Sequence, residues 1–133
     1  DLVNRTHEVY TFLDEASEKY GIDRRNFVAV GYSNGANIAG SLLFHYEDAF
    51  KGAILHHPMV PLRDKELPDL SGIPVFIGAG RNDMLCSAQE SEDLQSILAG
   101  AGAGTDLHWE NNGHQLSRTE IDAAGEWFSK HFA

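Results

Sequence analysis

The sequence predicts an α/β fold built on a parallel sheet, and three observations carry this expectation. Short apolar runs bounded by glycine and proline alternate with longer stretches of helical apolar spacing. The runs are not hydrophobic on one face only, as a half-solvated antiparallel sheet would be, but nearly continuous, as strands covered on both faces are. Their order, αβαβ-loop-βαβα, is that of crossover units, which place helices on both faces of a sheet.

The elements follow in order. Residues 1–20 carry Val9, Leu13, Ala16 and Tyr20 on one stripe, with Gly21 as the stop, and read as an amphipathic helix. A polar link with Asp23, Arg24 and Arg25 leads to a first strand over residues 27–32, expected to be apolar on both faces. A helix whose apolar spacing begins at Ala36 runs to about residue 46, then comes a buried strand over residues 52–56 that ends at His57-Pro58-Met59-Val60-Pro61. After an aperiodic polar loop comes a third strand over residues 74–79. Ser87-Ala88-Gln89-Glu90 reads as a capping box, Ser87 capping and Glu90 reaching back, for a helix burying Leu94, Ile97 and Leu98. Residues 105–110 form a fourth strand whose polar alternates, Asp106 and His108, put it nearer an edge. Ser117-Arg118-Thr119-Glu120 reads as a second capping box, stapled by Leu116 and Ile121, for a last helix expected to bury Ile121, Ala124, Trp127 and Phe128.

A chain of 133 residues suits a single domain, residues 1–133. Ten basic against twenty acidic side chains, a formal charge of −10, argue against nucleic acid or an anionic membrane as partner. No apolar run approaches the roughly 20 residues of a membrane span. One cysteine, Cys86, allows no internal disulfide, and a cytoplasmic location is expected.

The stretch with the most chemistry is Gly31-Tyr32-Ser33-Asn34-Gly35, a G-x-S-x-G run with a strand before it and a helix behind. In that context the run forms a nucleophile elbow: a tight strand-to-helix turn presents the serine above the sheet, and the flanking glycines are expected to avoid collisions there. Activating a serine hydroxyl takes a base within reach and an acid to orient the base. Such groups belong just past the C-terminal ends of strands. The third strand leads into Gly80-Arg81-Asn82-Asp83, and the fourth into Asn111-Asn112-Gly113-His114. The order Ser33, Asp83, His114 is that of the α/β-hydrolase architecture. The backbone N–H of Asn34, next after the nucleophile, is expected to supply one oxyanion donor; the second is expected from a loop after an earlier strand, which this sequence does not contain.

Other residues have rival readings. Glu110 is an alternative acid but sits close before His114. Cys86 is expected to be a small buried residue rather than a nucleophile. His56 and His57 could face substrate or join Asp83 and His114 around a metal; adjacent strand residues point to opposite faces, so a wall or packing role is preferred, and neither metal nor cofactor is expected. His57, Met59 and Met84 are candidate substrate contacts.

With those motifs read, the chain resembles the carboxylesterase/phospholipase group of α/β-hydrolases, which includes acyl-protein thioesterases, and within it the small bacterial carboxylesterases of quinone and hydroquinone response. Residues 31–37, 55–61, 78–83 and 108–115 carry the resemblance, which runs over essentially the whole chain. It implies Ser33 as nucleophile, Asp83 as acid and His114 as base. Met84 stands where that group often has proline after the acid, and the group's amino-terminal strands with their His-Gly loop have no counterpart. Four parallel strands are therefore expected, with the nucleophile strand as an open edge that marks a fragment or pairs with another chain, as in a homodimer. The activity expected is hydrolysis of a small-molecule carboxylic ester through an acyl-enzyme. A thioesterase or lysophospholipase of the same group and an inactive binding fragment are the alternatives. Activity should rise with pH where an unperturbed imidazole loses its proton, about pH 6 to 7.

Overall fold

The computed structural model describes residues 2–23, 26–46 and 48–132, so the expectations for Asp1, Arg24 and Arg25 lie outside the described residues. Helix α1 (Leu2–Tyr20) precedes β1 (Val28–Tyr32), α2 (Asn34–His45) and β2 (Gly52–His56); then come β3 (Pro74–Gly80), α3 (Ala88–Gly100), β4 (Gly104–Glu110) and α4 (Arg118–Phe132). All strand pairs are parallel, in the order β1-β2-β3-β4. This is the predicted α/β architecture with its elements in the predicted order.

Strand alternation divides the core. Ala53, Leu55, Val75 and Ile77 face one way and join a cluster with Leu42, Leu43 and Phe44 of α2 and Leu94 and Leu98 of α3. Ile54 and Phe76 face the other way, against Ala124 and Trp127 of α4. In register, Val30 lies beside Ile54 and Phe76, but α4 packs over β3 and β4 and leaves it uncovered: Val30 is 67% exposed. The expected two-sided burial of the first strand therefore fails on this face. Among the described residues β1 pairs only with β2, and its other side is open, as expected.

Two helix stripes differ from the pattern read in the sequence. In α1 the deepest positions are Thr6 and Ser17, while Tyr20 is exposed. The Thr6 hydroxyl meets the Ser41 hydroxyl at 2.7 Å, and the Ser17 hydroxyl donates to the Leu13 carbonyl, so these polar groups are buried with partners. In α4 the inward stripe is Glu120, Ala124 and Trp127; Ile121 and Phe128 are 48% and 39% exposed. A carboxylate faces inward where the apolar pattern reserved a place for isoleucine.

Candidate active site

The elbow is built as its sequence requires. Ser33 adopts φ 54°, ψ −113° between β1 and α2, a left-handed conformation that costs a non-glycine residue about 1–3 kcal/mol. Its N–H donates to the His56 carbonyl (2.9 Å), and its carbonyl accepts from the Asn37 N–H (2.9 Å), so neighbouring elements hold the strain. A Cβ at Gly31 would lie 2.6 Å from the Ala36 nitrogen, so Gly31 has to be glycine. Gly35 faces open space: the steric reading of the motif holds for its first glycine and not its second.

The three residues picked out in the sequence converge. Ser33 Oγ lies 2.9 Å from His114 Nε2, and His114 Nδ1 lies 2.7 Å from Asp83 Oδ2. An ionised carboxylate only accepts, so Nδ1 carries the proton and Nε2 is left to accept from the serine. The loops that bring them together are tied to each other. The Asn82 side chain donates to the Asn111 carbonyl (3.0 Å) and accepts from the Gly113 N–H (2.8 Å). The Tyr32 hydroxyl donates to the His114 carbonyl (2.6 Å).

Asp83 is fully engaged. Its Oδ1 accepts from the backbone N–H groups of Leu85 (2.8 Å) and Cys86 (2.9 Å). Its Oδ2 accepts from His114 and also from His57 Nδ1 (3.1 Å). Burial pushes its carboxyl upward, but the Cys86 N–H, His114, the Leu85 N–H and His57 outweigh it and hold the group at about 2.

Of the two roles expected of His57, substrate wall and packing, the structure gives it the packing one and not a substrate contact: it is 1% exposed, with Nε2 2.7 Å from Glu120 Oε1. Nor do His56 and His57 diverge. His57 lies one residue beyond β2 at φ 56°, and that left-handed turn brings its ring to the same carboxylate, Glu120, that His56 Nδ1 engages. Glu120 is wholly buried. Sequence reading placed it in a capping box, and only half the box exists: the Glu120 N–H donates to Ser117 Oγ (3.1 Å), while the carboxylate turns inward. Glu90 repeats this, its N–H on Ser87 and its carboxylate on the Val60 N–H (2.9 Å) and Arg63 (2.6 Å). Nothing local distinguishes an inward glutamate from a capping one.

Glu110 binds His108 (2.7 Å) and Ser117 (2.8 Å). Cys86 is buried, and burial, with the charges of Asp83 and Glu90, pushes its thiol up to about 11, leaving it protonated and unreactive. Ligand atoms of His57, Asp83 and His114 lie within 4.8 Å of one another, near enough for a metal. In the structure these groups are joined to one another by hydrogen bonds, the Nδ1 atoms of His57 and His114 both on Asp83 Oδ2.

Beside the elbow runs a groove of about 480 Å³ lined by Asn34, Asn37, Ile38, Met59, Val60 and Pro61, with Leu2 and Arg5 of α1. Met59 lines it; Met84 does not, standing 94% exposed. Asn34 opens α2, so its N–H is among the first-turn donors that lack an intrahelical acceptor and carry the helix's partial positive charge.

The profile of the dienelactone hydrolase family matches residues 4–126. The chain is 56% identical over 130 residues to the putative hydrolase MhqD of Bacillus subtilis, covering 98% of this chain and 65% of that protein. It superposes on the crystal structure of the Bacillus cereus carboxylesterase with a TM-score of 0.97 at 58% identity, covering 99% of this chain and 62% of the other. The carboxylesterase of Mesorhizobium loti gives a TM-score of 0.87 at 27% identity, over 96% of this chain and 61% of that one. The chain thus spans a little under two thirds of the length of the relatives it matches. Among the described residues no helix is long and apolar enough to cross a membrane.

Proposed function

Since the chain belongs to the dienelactone hydrolase family, we propose that it works as a serine carboxylesterase on small carboxylic esters, with Ser33 as nucleophile, His114 as base and Asp83 as orienting acid. The observation that carries the reading is the continuous chain from Ser33 Oγ through His114 (2.9 Å) to Asp83 (2.7 Å), in an α/β-hydrolase fold.

His114 Nε2 takes the Ser33 proton as Oγ attacks the ester carbonyl. Negative charge then develops on the carbonyl oxygen, where the Asn34 N–H supplies one donor. Collapse transfers the acyl group to Ser33, and His114 returns its proton to the departing alcohol. Water enters, His114 takes one of its protons, and the hydroxide attacks the acyl-enzyme. The acid leaves as Ser33 recovers its proton from His114. Asp83 keeps the Nδ1 proton in place and balances the positive ring in both halves. The groove at Ile38, Met59 and Val60 suits an apolar acyl or alcohol group.

The single buried thiol suits a reducing compartment such as the cytoplasm. The open side of β1 supports pairing with a second copy.

The test is labelling with a fluorophosphonate probe and hydrolysis of a short nitrophenyl ester. Labelling confined to Ser33, and loss of orders of magnitude in Ser33→Ala, is the expected result. A loss under tenfold ends the assignment, and an unlabelled wild-type chain points to a binding domain. Parallel oxyesters and thioesters then define the acyl linkage cleaved.

A further inference from the structure

The carboxylate that orients His114 has a second imidazole on it. His57 Nδ1 reaches the same Asp83 oxygen as His114 Nδ1, from 3.1 Å against 2.7 Å. The far nitrogen of His57 meets Glu120 Oε1 at 2.7 Å, and His56 Nδ1 meets Glu120 Oε2. Asp83, His57 and Glu120 side chains are all without solvent contact. Glu120 reaches this position because β3 is notched for it: at Gly78, directly beside His56 in register, an added Cβ would overlap the Glu120 carboxylate.

With both carboxyls held low and ionised they only accept, and the ring between them then donates from both nitrogens, as an imidazolium does. We propose that Glu120 and His57 are positioning residues for the Ser33–His114–Asp83 site: Glu120 keeps a proton on His57, and the resulting buried cation fixes the Asp83 carboxylate while tempering its pull on the His114 proton.

The protonation balance agrees with the geometry. Burial by itself lowers His57, but hydrogen bonds and charge from Glu120 and Asp83 outweigh it and raise the ring above 6.5. Burial raises Glu120, yet the hydrogen bonds and charges of His56 and His57 bring it down to about 2. The groups facing His57 are Asp83 from the loop after β3, Glu120 from α4, and the rings of His114 (5.4 Å) and Tyr32 (6.0 Å). Cys86 Sγ approaches the His57 carbonyl (3.5 Å), and His56 acts through Glu120. Of these, only the two carboxylates carry negative charge opposite the ring. A cation at His57 opposes a second positive charge forming on His114, whose ring centre lies 5.4 Å away.

The inference rests on the esterase reading for its consequence but not for its premise, so two readouts separate them. Ring-nitrogen NMR of the whole chain at pH 7 should find His57 protonated on both nitrogens, and Glu120→Gln, close in shape, should lose that signature. A neutral His57 ring in the wild-type chain overturns the proposal even if both variants fail to fold. The second readout is the acid limb of the fluorophosphonate labelling rate. Removing a unit charge whose ring centre lies 5.4 Å from that of His114 should move the limb of His57→Gln up by roughly two pH units at an effective dielectric of about 20. Glu120→Gln should move it the same way but less, because a more distant negative charge is lost with the proton. Loss of rate with the limb unmoved would reduce both residues to packing and overturn the proposal. If the wild-type chain does not label, the esterase reading fails, and the same displacement is read on the His114 ring nitrogens directly.

Discussion

Asp83→Asn tests the site most severely, because the structure accounts for every acceptor position of this carboxylate. Oδ1 takes two backbone N–H groups at 2.8 and 2.9 Å, and Oδ2 takes two imidazole N–H groups at 2.7 and 3.1 Å. An amide has one oxygen and one NH2, so either orientation sets the NH2 against two donors. Leaving such buried donors unmatched costs about 1–3 kcal/mol. Charge adds to this. A carboxyl held at about 2 instead of 3.8 is ionised more readily in the folded chain, and that difference stabilises it by about 2 kcal/mol at neutral pH. The sum, about 3–5 kcal/mol, is also the cost of removing one member of a buried ion pair. The rate should suffer more. With the NH2 turned to the imidazoles, Nδ1 has no acceptor and the His114 ring can turn its other tautomer toward Ser33; an amide in the acid's place costs about 10⁴-fold. Urea unfolding measures the stability, and the fluorophosphonate labelling rate of the folded variant measures the chemistry. A folded variant that labels within tenfold of the wild-type chain would refute the reasoning from orientation.

Three further outcomes follow from the same contacts. Stability should form a plateau in pH: the contributions of Asp83 and Glu120, both lowered to about 2, are present above about 4.5 and lost as pH falls toward 2. That of His57, raised above 6.5, is full below 6.5 and lost as pH climbs through its raised value, so a urea midpoint flat up to pH 9 would count against a charged His57. Gly31→Ala sets a Cβ 2.6 Å from backbone at Ala36 and should destabilise by about 1–3 kcal/mol; an unchanged melting temperature would show that the elbow yields. The open side of β1 should bring two copies together, so sedimentation at rising concentration should show a dimer, and a monomer throughout argues against pairing there.

Much of this molecule is readable along the chain. The strands announce themselves as apolar runs, and the G-x-S-x-G turn is a local structure whose sterics depend on residues a few positions apart, which is why Gly31 and Ser33 could be read in isolation. Asp83 and His114 could be found because parallel topology sends each strand's following loop to one rim of the sheet, so chain order stands in for spatial position. Packing decided the rest. Whether Glu120 caps its helix or enters the core depends on the rotation of α4, on the notch at Gly78 and on two histidines more than sixty positions away, none of which leaves a local mark. The turn at His57 likewise belongs to the folded chain, since alternation along an ideal strand predicts the opposite face. Local sterics and element order are written in short windows of sequence. The electrostatic setting of Ser33, His114 and Asp83 is written in no window, because charges that are scattered in the chain act on one another only after folding has excluded the water between them.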